Sequence, residues 1–352
     1  MNKIHLAFEA SLIAKGSKTG LGQYALNLLV ELMKREDLKI TLIHSSKEWE
    51  GPDFGLPTES YYFWKESLAI YFRLNSILKR IGADVFHAPG NTGIPSRVAI
   101  PAVVTVHDIF PLLSPDQVAP RFYKAFKHLH KWVMKGASRL LIDSQMTSKA
   151  IQSYYSCTDE KFEVVHLGPC NQFTWEGGGD YFLCVGAIEP RKGQLFLARR
   201  YLEALECNSE IEDLIFIGTD RGDAAELQGL IEQSKGKIKW LNYVSDEELC
   251  ERYKKCKALY IPSSYEGFGL SVLEGVLAGA PVICSGIEVL KEVGWDYPLY
   301  LNLDDSQQWC NSFLNNTAVP AKADDDYIKH FSWKNYTAKA VELYKRVIED
   351  SQ

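Results

Sequence analysis

Along the first 168 residues, short apolar runs recur between polar turns: "KIHLAFEA", "KITLIHSS", "ADVFHAP", "AIPAVVTVHD", "SRLLIDS" and "KFEVVHLG". Between most of them lie stretches with apolar residues at helical spacing, such as "GQYALNLLVELMKRE". β-rich runs bounded by turns and alternating with amphipathic helices predict a parallel sheet covered on both faces, a doubly wound α/β domain. The pattern breaks at "PCNQFTWEGGGD", where Pro169 and the three successive glycines Gly177 to Gly179 support no regular element. It restarts with "YFLCVGAI", "DLIFIG", "IKWLNYV", "ALYIPS" and "PVICS", each followed by a helical stretch such as "SDEELCERYKKC". The expected organisation is therefore two Rossmann-like domains, residues 1–172 and 180–330, with a linker over 169–180. A terminal helix follows over 331–352, "FSWKNYTAKAVELYKRVIED", after the acidic "KADDDY". Open sheets of this kind bind ligands outside the carboxyl ends of their strands, so the chemistry is expected there, in a cleft that the two domains face.

Length agrees with the division, because 352 residues exceed the roughly 250 to 300 at which a single core stops growing. No run approaches the roughly 18 apolar residues of a spanning helix, and Glu9 interrupts the only apolar stretch near the N-terminus, unlike a signal peptide. A cytoplasmic chain is expected. All eight cysteines lie between Cys157 and Cys310, with no C-x-x-C pair and no histidine at zinc-ligand spacing, which points to reduced thiols rather than disulfides or a metal framework. Charge is uneven: residues 1–168 hold 20 Lys and Arg against 16 acids (+4), and the remainder holds 19 against 29 (−10). The basic half contains "RFYKAFKHLHKWVMKGASR", which interleaves Phe122, Phe126, Leu129, Trp132 and Val133 with Lys124, Lys127, Lys131 and Lys135. That spacing fits a sheet-covering helix with a solvated face, or a surface that meets anionic lipid.

The stretch "PSSYEGFGLSVLEGVLAGAPVICS" carries the sharpest chemical signal. A helix starting near Gly269 offers the N–H groups of Leu270 and Ser271 and the positive end of its dipole to a phosphate, with Gly267 and Gly269 allowing close approach. Glu274, three residues after Ser271, can reach back toward the same place, where ribose hydroxyls are the usual donors to a carboxylate. Leu270, Leu273 and Leu277 would pack on the sheet. Glu266 stands before the turn; E-x7-E alone could be two solvated glutamates, and the Gly-Phe-Gly turn is what argues otherwise.

In "VGAIEPRKGQ", Arg191 and Lys192 sit just past a strand end, suited to a diphosphate: arginine as a bidentate fork, lysine as a point charge. In "SKTGLGQYALNLL", Gly20 and Gly22 mark a loop-to-helix junction after the first strand. The fragment lacks the full G-x-G-x-x-G and its loop from Ser11 is too long for a tight dinucleotide turn, which argues against a dehydrogenase. "VVTVHDIFPL" sets His107 and Asp108 at a strand's carboxyl end, as a satisfied core pair or as a contact to a substrate hydroxyl. His87 in "DVFHAPGN" stands similarly. No G-x-S-x-G elbow supports a hydrolase triad.

With these residues in hand, the chain resembles the retaining glycosyltransferases of family 4, nucleotide-sugar enzymes with the two-domain GT-B fold. The likeness runs from "TGLGQYALNLL" through "VTVHDIFPL" and "EPRKG" to "YEGFGLSVLEGVLAGAPVI" and the terminal "FSWKNYTAKAVELY". It implies that Glu274 binds ribose hydroxyls and Glu266 the donor sugar, and that Arg191 and Lys192 hold the diphosphate with the amides at Gly269, Leu270 and Ser271. It further implies that Gly22 approaches the diphosphate, that His107 contacts a donor-sugar hydroxyl, and that the last helix crosses back onto the first, acceptor-side domain. The base would lie between "FIGTDRGD" and "WLNYVSDE", beside Val244. Two positions depart from the family: Ala187 stands where many members have arginine, with Arg191 as the substitute, and Asn242 where glycine is common.

The resemblance implies catalysis without a metal cofactor, and the one D-x-D spacing, Asp324 to Asp326, reads as a solvated charge run. "HDIFPLLSP" resembles bacterial mannosyltransferases of polysaccharide assembly, which makes GDP-mannose the expected donor, ahead of UDP-sugars, and a saccharide, lipid-linked or free, the acceptor. No nucleic-acid partner is expected. The competing readings are a sugar-nucleotide epimerase, which would share the architecture but not the E-x7-E helix, and a catalytically silent partner subunit, which would have no need of both glutamates and both cations.

Overall fold

A computed structural model describes residues 3–16, 19–62, 66–91, 94–315 and 318–351. Two compact units emerge: residues 1–170 with 331–352, and residues 171–330. In the first, strands β1 (Ile4–Glu9), β2 (Leu38–His44), β3 (Thr58–Ser60), β4 (Val85–Ala88), β5 (Ala102–Val106), β6 (Arg139–Ile142) and β7 (Phe162–Val164) form one sheet in the order β3-β2-β1-β4-β5-β6-β7. In the second, β8 (Tyr181–Val185), β9 (Asp213–Ile217), β10 (Ile238–Leu241), β11 (Ala258–Ile261), β12 (Val282–Ser285) and β13 (Leu299–Leu301) run in the order β10-β9-β8-β11-β12-β13. Every paired strand is parallel.

Each sheet grows outward from its first strand, then crosses to that strand's other side. The order therefore reverses between β1 and β4 in one unit and between β8 and β11 in the other. At these points the loops leaving neighbouring strands diverge and open a crevice over the carboxyl ends. Two three-residue strands at sheet edges, β3 and β13, were invisible in the sequence pattern, since "TES" carries no apolar residue and "LYL" is too short to set a period.

The core of the first unit is built from strand residues such as Val104, Leu140 and Ile142 under helix residues such as Leu74 and Leu78. That of the second joins Phe182, Phe216 and Tyr260 to Leu197, Tyr201, Trp309 and Phe313. The terminal helix Trp333–Glu349, capped by Ser332, belongs to the first unit. It is held there by polar contacts inside the core: Tyr336 and Tyr24 share a hydroxyl hydrogen bond of 2.6 Å, and Tyr344 meets His87 Nδ1 at 2.6 Å.

The stretch expected as a linker is irregular, as its composition dictates, yet it is not a loose tether. The boundary falls between Cys170 and Asn171, and the residues after it are tied into the second unit. The Phe173 ring stacks on Tyr253 at 3.9 Å, Trp175 N–H donates to Ala278 O at 2.9 Å, and its indole N–H donates to Cys256 O at 2.7 Å. These three contacts, from Phe173 and Trp175, hold the stretch against the second unit just before the glycines.

Candidate active site

The second unit gathers its chemistry at the β8/β11 reversal. After β8 the chain makes one 3₁₀ turn, Pro190–Lys192, ended by Gly193 at φ +74°, where a Cβ would run into the Pro262 carbonyl. Only glycine fits this approach of the β8 loop to the β11 loop. Ser264 N–H donates to Arg191 O at 2.8 Å and completes the seam. The two loops thereby place Lys192 Nζ 2.6 Å from Glu266 Oε1 and Arg191 Nη1 3.5 Å from Glu266 Oε2, while Ser263 Oγ donates to Oε1 at 2.8 Å. Arg191 Nη2 also pairs with Glu189 at 2.6 Å. Burial would raise the Glu266 carboxyl, but Lys192 and then Arg191 outweigh it and hold the group below its ordinary value, so it is an anion at neutral pH.

Glu189 was not singled out in the sequence, although it lies two positions from Arg191. Its presence changes the electrostatics: the two cations meet two carboxylates, so the pair is not a bare dication awaiting an anion. An anion that came here would have to share Lys192 and Arg191 with their carboxylate partners.

Helix Leu270–Ala278 starts at Gly269, φ +105°, with no side-chain cap. The amides of Leu270 and Ser271 have no hydrogen-bond partner among the described residues, and Val272 N–H is the first to close on Gly269 O, at 2.9 Å. Two unsatisfied amides at the positive end of a helix suit an anionic oxygen. The buried stripe is Val272, Leu273 and Val276 rather than Leu270, Leu273 and Leu277, both of whose outer members are only half-buried. The helix is rotated so that Glu274 is buried too. Its Oε1 accepts from Asn171 N–H at 3.1 Å and Asn171 Nδ2 at 3.3 Å, so the expected ribose ligand is already oriented from one side. Asn171 carried no signal in the sequence.

Val244 is half-buried in the loop between β10 and helix Asp246–Lys255, and Asn242 in that loop is exposed. Trp240 Nε1–H donates to Gly218 O at 2.8 Å, tying this loop's strand to the "IGTDRGD" loop at the adjacent strand's end. The D-x-D acids Asp324 and Asp326 are both exposed, and Asp324 Oδ1 accepts from Tyr327 N–H at 2.8 Å at the start of the short helix Asp325–His330.

In the first unit, His107 and Asp108 follow β5. His107 Nδ1 lies 2.5 Å from Asp143 Oδ2, with Asp143 following β6. The Tyr24 ring stands edge-on to His107 at 4.5 Å, and Asn91 Oδ1 accepts from the His107 N–H at 2.8 Å. His87, by contrast, is a core histidine: wholly buried, it meets Tyr344 and Thr105, and burial pushes its pKa down to about 3. Gly22 lies in helix Gly20–Leu32, where its N–H donates to the Thr19 cap at 3.2 Å. That amide is therefore spoken for. The segment expected as a loop from Ser11 begins with a helical turn, Ser11–Ala14, while Ser17 and Lys18 lie outside the described residues.

Two family descriptions match the chain in tandem: Glycosyltransferase Family 4 over residues 18–168 and Glycosyl transferases group 1 over residues 171–297. The O-antigen chain mannosyltransferase RfbU of Salmonella typhimurium is 31% identical over 240 residues, covering 67% of this chain and 64% of that protein. The chain thus aligns with just under two thirds of this relative's length. O-antigen chain mannosyltransferase B of Escherichia coli is 27% identical over 292 residues, 74% of each chain. Among solved structures, sucrose-phosphate synthase from Thermosynechococcus elongatus superimposes with a TM-score of 0.72 at 16% identity, covering 99% of this chain and 100% of that one. WaaG, a glycosyltransferase involved in lipopolysaccharide biosynthesis, gives 0.64 at 15% identity, covering 99% and 98%. At such identities the structural likenesses show the fold alone.

Proposed function

The chain belongs to the GT-B glycosyltransferases, with a family-4 domain followed by a group 1 domain, and on that premise we propose that it moves mannose from GDP-mannose to a saccharide acceptor, with retention of anomeric configuration, in the assembly of a bacterial surface polysaccharide. The observation that carries the reading is the buried Glu266 held by Lys192 and Arg191 at the β8/β11 reversal, beside a helix start with two unsatisfied amides. The relatives that are O-antigen chain mannosyltransferases support the mannosyl assignment.

On this reading the donor's diphosphate lies against Lys192, Arg191 and the amides of Leu270 and Ser271, its ribose against Glu274, and its sugar against Glu266. As the glycosidic bond breaks, negative charge grows on the diphosphate, and fixed cations in a partly buried setting stabilise it more than they stabilise the intact donor. The departing oxygen then accepts the acceptor hydroxyl's proton on the face where the new bond forms. Lys192 and Arg191 supply the electrostatic stabilisation in this proposal, with no metal required. A silent partner subunit is disfavoured because it would bury a paired carboxylate and two cations without using them, at a cost in desolvation.

A ligand that binds the native state stabilises it by about 2.7 kcal/mol at a hundredfold excess over its dissociation constant, enough for a clear thermal shift. GDP and GDP-mannose are expected to raise the melting temperature more than UDP, UDP-glucose or UDP-N-acetylglucosamine at equal concentration. A larger shift from a UDP-sugar would overturn the mannosyl assignment, and no shift from any nucleotide would overturn the transferase reading.

The same proposal includes contact with a membrane surface, as a lipid-linked acceptor would favour. No helix among the described residues is long and apolar enough to cross a membrane. Helix Pro120–Gly136 buries Phe126, His130 and Val133 on its own unit, as a sheet-covering helix does, yet leaves Phe122 52% exposed next to exposed Arg121 and Lys124. An aromatic beside cations suits an anionic interface. Flotation with liposomes is expected to increase with their content of anionic lipid and to fall in Phe122→Asp; flotation independent of anionic lipid removes the contact.

A further inference from the structure

His107 and Asp143 stand on loops after adjacent parallel strands, β5 and β6, so the sheet itself fixes their separation. Asp143 is 1% exposed, and its Oδ2 takes His107 Nδ1 at 2.5 Å. Among the described residues its other oxygen, Oδ1, has no hydrogen-bond partner, and neither has His107 Nε2, although both atoms are buried. A buried carboxylate with an unsatisfied oxygen costs stability, and a protein retains such a group where it serves something other than folding. The surroundings restrict the ring further: Tyr24 stands against it edge-on, and Tyr24 is itself pinned by Thr105 Oγ1 at 2.8 Å and by Tyr336 of the terminal helix.

We propose that Asp143 is a positioning residue for His107, fixing the proton on Nδ1 and turning the ring so that Nε2 is the atom that exchanges a hydrogen bond with a substrate hydroxyl. This rests on the transferase reading, in which His107 meets a sugar, and adds to it the group that sets the histidine's orientation and charge. A carboxylate on Nδ1 raises the basicity of the ring and selects its tautomer. Burial would lower the His107 pKa, yet Asp143 first, by its charge and hydrogen bond, and Asp108 after it raise it above its ordinary value; the same burial raises the Asp143 carboxyl, and the charge and hydrogen bond of His107 oppose that rise. The remaining titratable neighbours do not reverse this, because His87 stays neutral to about pH 3, His166 acts on Asp143 and favours its carboxylate, and Tyr24 is held neutral far above its ordinary pKa by burial.

The sign follows. With Asp143 in place, His107 keeps its second proton at pH 6.5 and loses it at a higher pH. With Asn at this position the carboxylate is gone, burial is opposed only by weaker neighbours, and the proton leaves at a lower pH.

The test is a nitrogen-correlated NMR titration of the full chain between pH 5 and 9, with the His107 signal assigned by its loss in His107→Gln. The expected result is a midpoint above 6.5 in the wild type, with Nδ1 protonated throughout, and a midpoint at least one pH unit lower in Asp143→Asn. The pH profile of kcat is expected to move by the same amount in Asp143→Asn, with the donor KM within threefold of wild type. A wild-type midpoint at or below 6.5 overturns the proposal, and that arm needs no variant to fold. An unmoved midpoint or kcat profile in a folded Asp143→Asn also overturns it, leaving Asp143 a structural residue. Because the titration uses no donor, failure of the mannosyl assignment leaves the answer about the dyad intact.

Discussion

Replacing Lys192 with alanine is expected to lower kcat by about 10²- to 10³-fold, the cost of removing one preorganised charge from a developing anion. The ammonium sits 2.6 Å from Glu266 Oε1 on a turn locked by Gly193, so it is held in place before any ligand arrives. Its loss has a second effect. Glu266 is kept anionic by Lys192 first and Arg191 second against the pull of burial, so its folded pKa lies below the unfolded one. A depressed carboxyl contributes stability that is present above the unfolded pKa and is lost as pH falls through the folded pKa. In Lys192→Ala the larger of the two opposing cations is gone, the carboxyl rises, and part of that contribution disappears at neutral pH. The variant should melt lower than wild type, and the gap should close in acid, where both forms carry a protonated Glu266. Steady-state kinetics at saturating donor and a melting series from pH 3 to 8 read the two effects separately. A kcat within threefold of wild type would show that the leaving group is stabilised elsewhere. The wild-type assay repeated in EDTA completes the comparison: full activity is expected, and loss restored by Mg²⁺ would assign the charge to a metal rather than to Lys192.

The architecture was largely legible in the sequence because it rests on two strong periods. Buried parallel strands read as apolar runs and the helices between them as stripes, which marked eleven of the thirteen strands among the described residues and the second start after residue 180. Both missing strands lie at sheet edges, where one partner suffices and three residues of backbone pairing demand little of the side chains. The candidate site was legible in two ways. The Gly267 and Gly269 turn marked Glu266, Ser271 and Glu274, while Arg191, Lys192 and His107 were marked by their places just past strand ends; Gly193, whose φ of +74° locks the β8 loop, carried no signal of its own.

Its partners were not legible. Asp143, Asn171 and Glu189 are ordinary polar residues in ordinary turns, and their importance comes from the tertiary neighbours that the sheets bring up: His107 from the adjacent strand, Glu274 from a helix about a hundred positions on, Arg191 across a 3₁₀ turn. Buried charges need partners, but nothing in a single sequence says which of many candidates will stand there. The terminal helix shows the opposite case. Its amphipathic pattern was plain and the family resemblance implied the first domain as its partner, where the hydroxyls of Tyr336 and Tyr344 reach Tyr24 and His87 from the far end of the chain.

Asn171 decides which way a glutamine at position 274 would face. Glu274 Oε1 accepts two N–H donors from that residue, so a glutamine here has its orientation chosen for it: the amide oxygen has to face Asn171, because an NH₂ there would meet two donors. The NH₂ group of Glu274→Gln therefore points where the carboxylate's second oxygen stood. A ribose hydroxyl that donated to that oxygen finds a donor in its place and loses a bond to a charged acceptor, worth about 1.5 to 3 kcal/mol. Since about 1.4 kcal/mol is tenfold in affinity, GDP should bind roughly ten to a hundred times more weakly by calorimetry, with kcat at saturating donor nearly unchanged, because the ribose bonds are equally strong before and during transfer. Glu266→Ala should show the reverse, a fall in kcat with GDP affinity nearly kept. The contrast separates a nucleotide ligand from a group beside the reacting sugar. GDP binding within twofold of wild type in Glu274→Gln would remove Glu274 from the nucleotide site, and Asn171 would then be its partner for folding alone.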